Sequence, residues 1–244
     1  MKQLLRFNHE KRLDKHKKNN PNLIFLLKCR FNWMKKFTNN KKKIVELGSG
    51  NGFIKKFLGK NIITSDIVKN ENIDILLDMN NVNKKKNLIK NTDVFIFNHS
   101  LHHSNNPIKV LSILEKFLKK GGVILINEPE ISFFFKFFLK IFDHEGWDLN
   151  LKNSKKRNFW IENNATGKLL FEGKVYGDKF LKYKIIENEL SEFLTFLNSS
   201  GNGVDAPYIK LSPKLLNYVW LLDKILVNFF PNIFALNRKI ILKK

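Results

Sequence analysis

Three glycines at alternating positions, Gly48, Gly50 and Gly52, stand where one periodicity gives way to another. Before them, Lys43 to Leu47 is a short β-branched and apolar run. After them, Phe53 to Leu58 spaces its apolar residues as a helix does. A strand that turns into a helix through glycines uses backbone angles and close approaches that side chains resist. It is also where an α/β sheet offers a ligand its backbone N–H groups. The spacing here is G-x-G-x-G. A dinucleotide fingerprint, G-x-G-x-x-G, would need its third glycine at position 53, which is Phe53. An NAD(P) oxidoreductase is therefore disfavoured.

The acidic residues around this loop narrow the ligand further. Asp66 lies 18 residues beyond Gly48, at the end of a second β-rich run, Asn61 to Ser65. An acid at that point can accept both hydroxyls of a ribose. Glu46 precedes the first glycine, and Asp78 follows a third run, Ile73 to Leu77. The loop holds no Lys or Arg of the P-loop kind. Three acids at strand ends suit a nucleoside that carries positive charge and an amino group better than a phosphate.

The same alternation continues along the chain. Asp93 to Phe97 reads as a fourth strand. Pro107 to Lys119 reads as a helix with Val110, Leu111, Leu114 and Leu118 on one side. Gly121-Gly122 ends it, and Val123 to Asn127 is a fifth strand. This order predicts a parallel sheet with helices on both faces. Upstream, residues 1 to 20 form a basic arm, and Pro21 can open a helix whose apolar face runs from Leu23 to Phe37. Beyond Pro129 the pattern changes. Ile131 to Phe142 is aromatic and helical, Asp143 to Gly167 polar and irregular, Tyr183 to Ile186 a strand, and Glu189 to Leu197 a helix. Pro213 opens a last long helix, and Lys239 to Leu242 forms a terminal strand.

Three segments now carry a resemblance. Val45-Glu46-Leu47-Gly48-Ser49-Gly50-Asn51-Gly52 resembles motif I of class I S-adenosylmethionine-dependent methyltransferases. The run from Asp93 through Asn98-His99-Ser100-Leu101-His102-His103 to Pro107 resembles the fourth-strand motif of their UbiE-like, type 11 branch. Leu114 to Ile126 resembles that branch's L-K-P-G-G segment, with Lys120 in place of the usual proline. A looser similarity links Asn127-Glu128-Pro129, the His144-Glu145-Gly146-Trp147 stretch and Phe234 to Lys244 to methyltransferases found with bacterial surface-polysaccharide genes. The resemblance implies an α/β fold: a Rossmann-like, seven-stranded, mostly parallel sheet with helices on both faces and an antiparallel strand at the C-terminus. Within that one domain, residues 1–42 would be arm and helix, 43–130 the cofactor core, and 131–244 an acceptor-binding insertion with sheet-closing elements.

The resemblance also implies roles for matching positions, with S-adenosylmethionine as the cofactor. Gly48, Ser49, Gly50 and Gly52 would pack on its methionine moiety, with Glu46 facing the amino group. Asp66 would hold the ribose hydroxyls and Ile67 would lie on the adenine. Asp78 would accept from the adenine amino group beside the Met79 amide. Asn98 and His99 would line the methionine end. An oxygen acceptor also needs a base, and His102, His103 and His144 are the candidates, because histidine titrates in the right range. Glu128, His144 and Glu145 are expected on the acceptor side, beyond the carboxyl ends of the strands. No local Cys-His or H-E-x-x-H spacing points to a metal, so none is expected.

Charge bears on partners. The formal net charge is +22 and the pI about 9.9. Yet of 44 basic residues only Arg6, Arg12, Arg30, Arg157 and Arg238 are arginine, the side chain that reads bases and phosphates bidentately. No D/N-P-P-Y/F element follows the fourth strand, where Asn98-His99-Ser100-Leu101 stands instead. A nucleic-acid partner is thus disfavoured, with an RNA methyltransferase as the first rival reading and a catalytically inactive cofactor-binding protein as the second. The expected acceptor is a small molecule, sugar or lipid-linked glycan. Cys29 is the single cysteine, and no apolar leader follows the basic N-terminus. The expected location is cytoplasmic. The aromatic run 131–142, too short to span a bilayer, leaves open a peripheral contact with an anionic membrane at its inner face.

Overall fold

The computed structural model describes residues 20–142, 145–156, 158–172, 183–200 and 206–244. In chain order the elements are α1 (Pro21–Asn32), α2 (Lys35–Thr38), β1 (Ile44–Leu47), α3 (Ile54–Leu58), β2 (Ile62–Asp66), β3 (Ile75–Leu76) and α4 (Lys86–Ile89). There follow β4 (Thr92–Asn98), α5 (Pro107–Phe117), β5 (Leu118–Pro129), α6 (Phe133–Ile141), α7 (Thr166–Phe171), β6 (Lys184–Ser191), α8 (Leu194–Leu197), α9 (Pro213–Phe229), α10 (Pro231–Phe234) and β7 (Asn237–Lys243).

The strands form one seven-stranded sheet in the order β3-β2-β1-β4-β5-β7-β6. The pairs from β3 through β5 are parallel, and β7 runs antiparallel between β5 and β6. The central strands are buried on both faces, which explains their unbroken apolar sequence. Val94 to Phe97 and Ile124 to Ile126 are fully buried, as are Ile240 and Ile241 of β7. The mostly parallel sheet with a reversed C-terminal strand is the fold expected from the sequence.

Local chemistry sets the helix starts. Asn20 caps α1 by accepting from the N–H groups of Asn22 and Leu23, with Pro21 in the first turn. Asn106 caps α5 in the same way, accepting from Lys109 N–H ahead of Pro107. α5 buries Val110, Leu111 and Leu114. Leu118, expected on the same helical face, instead begins β5, because the helix ends at Phe117. Upstream, the apolar stretch that reads as one helix to Phe37 is divided at Trp33-Met34 into α1 and α2.

The clearest departure lies at residues 184–197. The sequence predicts a strand to Ile186 and a helix from Glu189. The strand runs to Ser191 because β7 supplies a pairing edge from Lys184↔Lys243 to Ser191↔Asn237, and such tertiary pairing overrides local propensity. Glu192 then takes a left-handed φ of 64° and turns the chain into α8. Its side chain is wholly buried against Arg30 of α1, at 2.7 Å from Nη2. Asp223 of α9 accepts from the N–H groups of Phe193, Leu194 and Thr195, which fixes the start of α8. The C-terminal half is thus bound to the core by buried polar groups as well as apolar packing.

Candidate active site

The carboxyl ends of β1, β2, β4 and β5 converge on the glycine loop. Gly48, Gly50 and Gly52 all have positive φ, at 71°, 52° and 66°. Each is a conformation that costs an ordinary L-residue about 1–2 kcal/mol. At Gly48 space is short as well, since a Cβ there would stand 2.6 Å from the Cβ of Ser100. At Gly50 nothing lies within 4 Å of such an atom, so the loop is open on that side. Ser49 joins the loop to β2, its N–H donating to Ser65 O at 2.9 Å and its Oγ accepting from Ser65 N–H at 3.1 Å.

Glu46 lies beneath this loop, 2 % exposed. Its Oε2 is buried with no partner among the described residues. Burial, opposed by the Ser49 hydroxyl, pushes its carboxyl up from the ordinary 4.5 to about 8. A buried acceptor without a donor is costly, and a cationic amine is the group that would satisfy it. The residues present therefore fit a nucleoside with an amino-acid tail.

Asp66 sits at the end of β2. Its Oδ2 accepts from Gly50 N–H at 2.8 Å and its Oδ1 from Val68 N–H at 3.1 Å, so it holds the loop while keeping lone pairs for another donor. The neighbouring Ile67 is exposed. Met79 lies against the loop, its methyl 3.0 Å from the Cβ position of Gly48. Asp78 caps the short turn Met79–Lys85. It accepts from Asn80 N–H and from the amides of Asn80 and Asn81. Asn98 accepts from the Asn127 amide at 3.3 Å. His99 has a φ of 53° and places Nε2 3.0 Å from Asn237 Oδ1 on β7. Burial, and then the charge of Arg30, hold its imidazole well below the ordinary histidine range.

The acceptor-side residues form a second group. Glu128, expected to face the substrate, is fully buried. One carboxylate oxygen accepts from the N–H groups of Ser100 and Leu101 at 3.1 and 2.9 Å. The other accepts from His102 Nδ1 at 2.6 Å. The opposite nitrogen of His102 lies 3.3 Å from Glu145, and His103 Nδ1 lies 3.8 Å from the same carboxylate. Burial opposes a charge on His102, but Glu128 and Glu145 together raise it to about 10. The two carboxylates thus favour the charged form of the His102 ring. The structure brings His102, His103, Glu128 and Glu145 together. His144 lies outside the described residues.

Ser100 and Asn237 are the residues that sequence reasoning missed. Ser100 Oγ donates to Leu47 O at 2.7 Å and so ties the end of β4 to the end of β1. No local pattern marks either residue, because each acts through a partner far along the chain.

A family model described as a methyltransferase domain matches residues 17–170. The chain belongs to this methyltransferase family. It is a class I methyltransferase, and its cofactor is S-adenosylmethionine. This methyltransferase is similar in fold to a SAM-dependent methyltransferase from Archaeoglobus fulgidus. The two share 18 % identity with a TM-score of 0.53, over 90 % of this chain and 93 % of the other. It is also similar in fold to the plantazolicin methyltransferase BpumL, solved in complex with a monoazolic desmethylPZN analog and SAH. There the identity is 13 % and the TM-score 0.50, over 96 % and 89 % of the two chains. No curated protein matches this sequence.

Proposed function

We propose that this methyltransferase moves the methyl group of S-adenosylmethionine to an oxygen, and secondarily a nitrogen, of a small-molecule, sugar or lipid-linked glycan acceptor. The observation that carries the donor site is the buried Oε2 of Glu46, without a partner among the described residues, beneath three glycines of positive φ. The cofactor supplies an already electrophilic sulfonium methyl, so the protein's main task is alignment. Glu46 takes the amino group through the loop. Gly48, Ser49, Gly50 and Gly52 cradle the methionine moiety, with Asn98 and His99 at its end. Asp66 holds the ribose hydroxyls and Ile67 covers the adenine, whose edge meets Asp78 and the Met79 amide. His103 and Glu145 line the open side of the histidine cluster, where an acceptor's proton would leave.

Calorimetry with S-adenosylmethionine, S-adenosylhomocysteine and NAD tests this donor site. Submillimolar binding of the first two and none of NAD is expected. Asp66→Ala should weaken binding by about 1.5–3 kcal/mol through loss of charge-assisted hydrogen bonds. Undiminished affinity in that variant would refute the ribose assignment.

A lipid-linked acceptor is favoured by one surface feature. Phe133, Phe137 and Ile141 form an exposed row along α6. The neighbouring Phe134 stacks on Phe234 of α10, near which Phe229, Phe230 and Ile233 are exposed too. Lys136 and Lys140 flank the row. A basic-rimmed aromatic ridge suits the interface of an anionic membrane. No helix among the described residues is long and apolar enough to cross one.

A further inference from the structure

We propose that His102 Nε2, His103 Nδ1 and one oxygen of Glu145 bind a first-row divalent metal ion, with Zn²⁺ the best match, beside the cofactor loop. These three donor atoms lie within 4.8 Å of one another. His102 and Glu145 approach to 3.3 Å, and His103 and Glu145 to 3.8 Å. Charge-assisted hydrogen bonds are shorter, about 2.7–2.9 Å. Neighbouring ligands on a tetrahedral ion stand further apart, about 3.3–3.6 Å for bonds of about 2.0–2.2 Å. The 3.3 Å gap from His102 Nε2 to Glu145 Oε2 matches that spacing, and the 3.8 Å gap from His103 Nδ1 to the other oxygen, Oε1, is a few tenths longer.

The other face of His102 supplies the independent support. A metal-bound histidine ordinarily donates its second N–H to a carboxylate, which fixes tautomer and ring orientation. Glu128 does this at 2.6 Å. Glu128 is itself held by the amides of Ser100 and Leu101. A metal ion bound there would displace the Nε2 proton, leaving the Nδ1 proton directed at Glu128 and the Nε2 lone pair on the ion. Two imidazoles and one carboxylate form the ligand set of open zinc sites, which keep a position for water or substrate. Access exists as well. The His103 side chain is 36 % exposed, against 4 % for His102 and 7 % for Glu145.

Placement gives the site a use. Ser100, two residues before His102, is packed against Gly48 of the loop. An acceptor hydroxyl bound at the open position would lie near the donor and lose its proton more readily. This purpose rests on the methyl-transfer reading, whereas metal binding is testable without it. Sequence spacing could not reveal the site, because Glu145 is 42 residues from His103 and the fold alone brings them together.

The test uses the chelator-stripped full chain. Zn²⁺ is titrated against a chromophoric chelator, and Co²⁺ is added to read coordination from its visible spectrum. One equivalent of Zn²⁺ should bind, with Co²⁺ giving the intense bands of a four- or five-coordinate site. His103→Ala and Glu145→Gln should each abolish that equivalent, with folding checked by circular dichroism. Glu128→Gln, a change to the positioning residue, should weaken it about 10- to 100-fold. Absence of a one-to-one site in the wild type, or a site unmoved by both His103→Ala and Glu145→Gln, overturns the proposal. S-adenosylhomocysteine binding is measured on the same wild-type preparation. Nucleoside binding without a zinc site sinks the metal alone, and a zinc site without nucleoside binding sinks the methyl-transfer reading alone.

Discussion

His102 and Glu128 are joined at 2.6 Å, with side chains only 4 % and 0 % exposed. They stand 26 residues apart, one just after β4 and the other near the end of β5. The pair therefore fixes the turn after β4 to the neighbouring strand. It also turns the His102 ring so that one edge meets Glu145. The carboxylate that makes this possible is fully buried and already accepts from three protein donors.

Removing Glu128 should be severe. Glu128→Ala leaves the Ser100 and Leu101 amides and the His102 ring without their buried acceptor. Loss of one partner of a buried ion pair costs about 3–5 kcal/mol. Urea unfolding of wild type and variant measures this, and a change below about 1 kcal/mol would show that the turn is held by other means.

Glu46 should make both stability and cofactor binding depend on pH. Its carboxyl is raised by burial from 4.5 to about 8, so the folded protein holds this proton more tightly than the unfolded chain does. The resulting stability is complete below about pH 4.5 and is lost as pH rises through 8. Glu46→Gln should remove that slope. At pH 7 the carboxyl is protonated, and a cationic amine placed against it should expel the proton. Calorimetry of S-adenosylhomocysteine in buffers of different ionisation enthalpy reads the release. A buffer-independent enthalpy in the wild type would sink the assignment.

Two glycines in one loop should respond differently to the same substitution. Gly50→Ala meets open space and incurs only the left-handed backbone cost, about 1–2 kcal/mol. Gly48→Ala incurs that cost and also drives a methyl to 2.6 Å from the Ser100 Cβ, so the loop or the turn after β4 must move. Thermal unfolding should rank Gly48→Ala clearly below Gly50→Ala. Equal melting temperatures would mean that the loop yields at no cost.

The aromatic ridge should bind anionic vesicles. Flotation at low salt is expected to carry wild type with phosphatidylserine-containing liposomes, and Phe133→Ser/Phe137→Ser should stay behind. Both side chains are more than half exposed, so the variant should keep its fold. Wild type that fails to float even at low salt would rule out the membrane contact.

Some of this was written along the chain. Short-range periodicity marks β1, β2, β4 and β5, because strands buried on both faces must be apolar throughout. The glycine spacing and the acids Glu46 and Asp66 mark the donor loop, because its chemistry lies within a few residues of the turn that forms it. The extent of β6 is different. Its residues acquire a strand conformation only when β7 offers an edge, and β7 lies at the far end of the sequence. The acceptor side is different for the same reason. His102 and Glu145 read alone as a candidate base and an acceptor-side acid. Only folding places Glu128 on one edge of the imidazole and Glu145 on the other, and burial then fixes both its proton and its direction. Local patterns record backbone preference and amphipathic burial. Charge state and ligand geometry depend on what the rest of the chain brings near, and tertiary structure alone decides that.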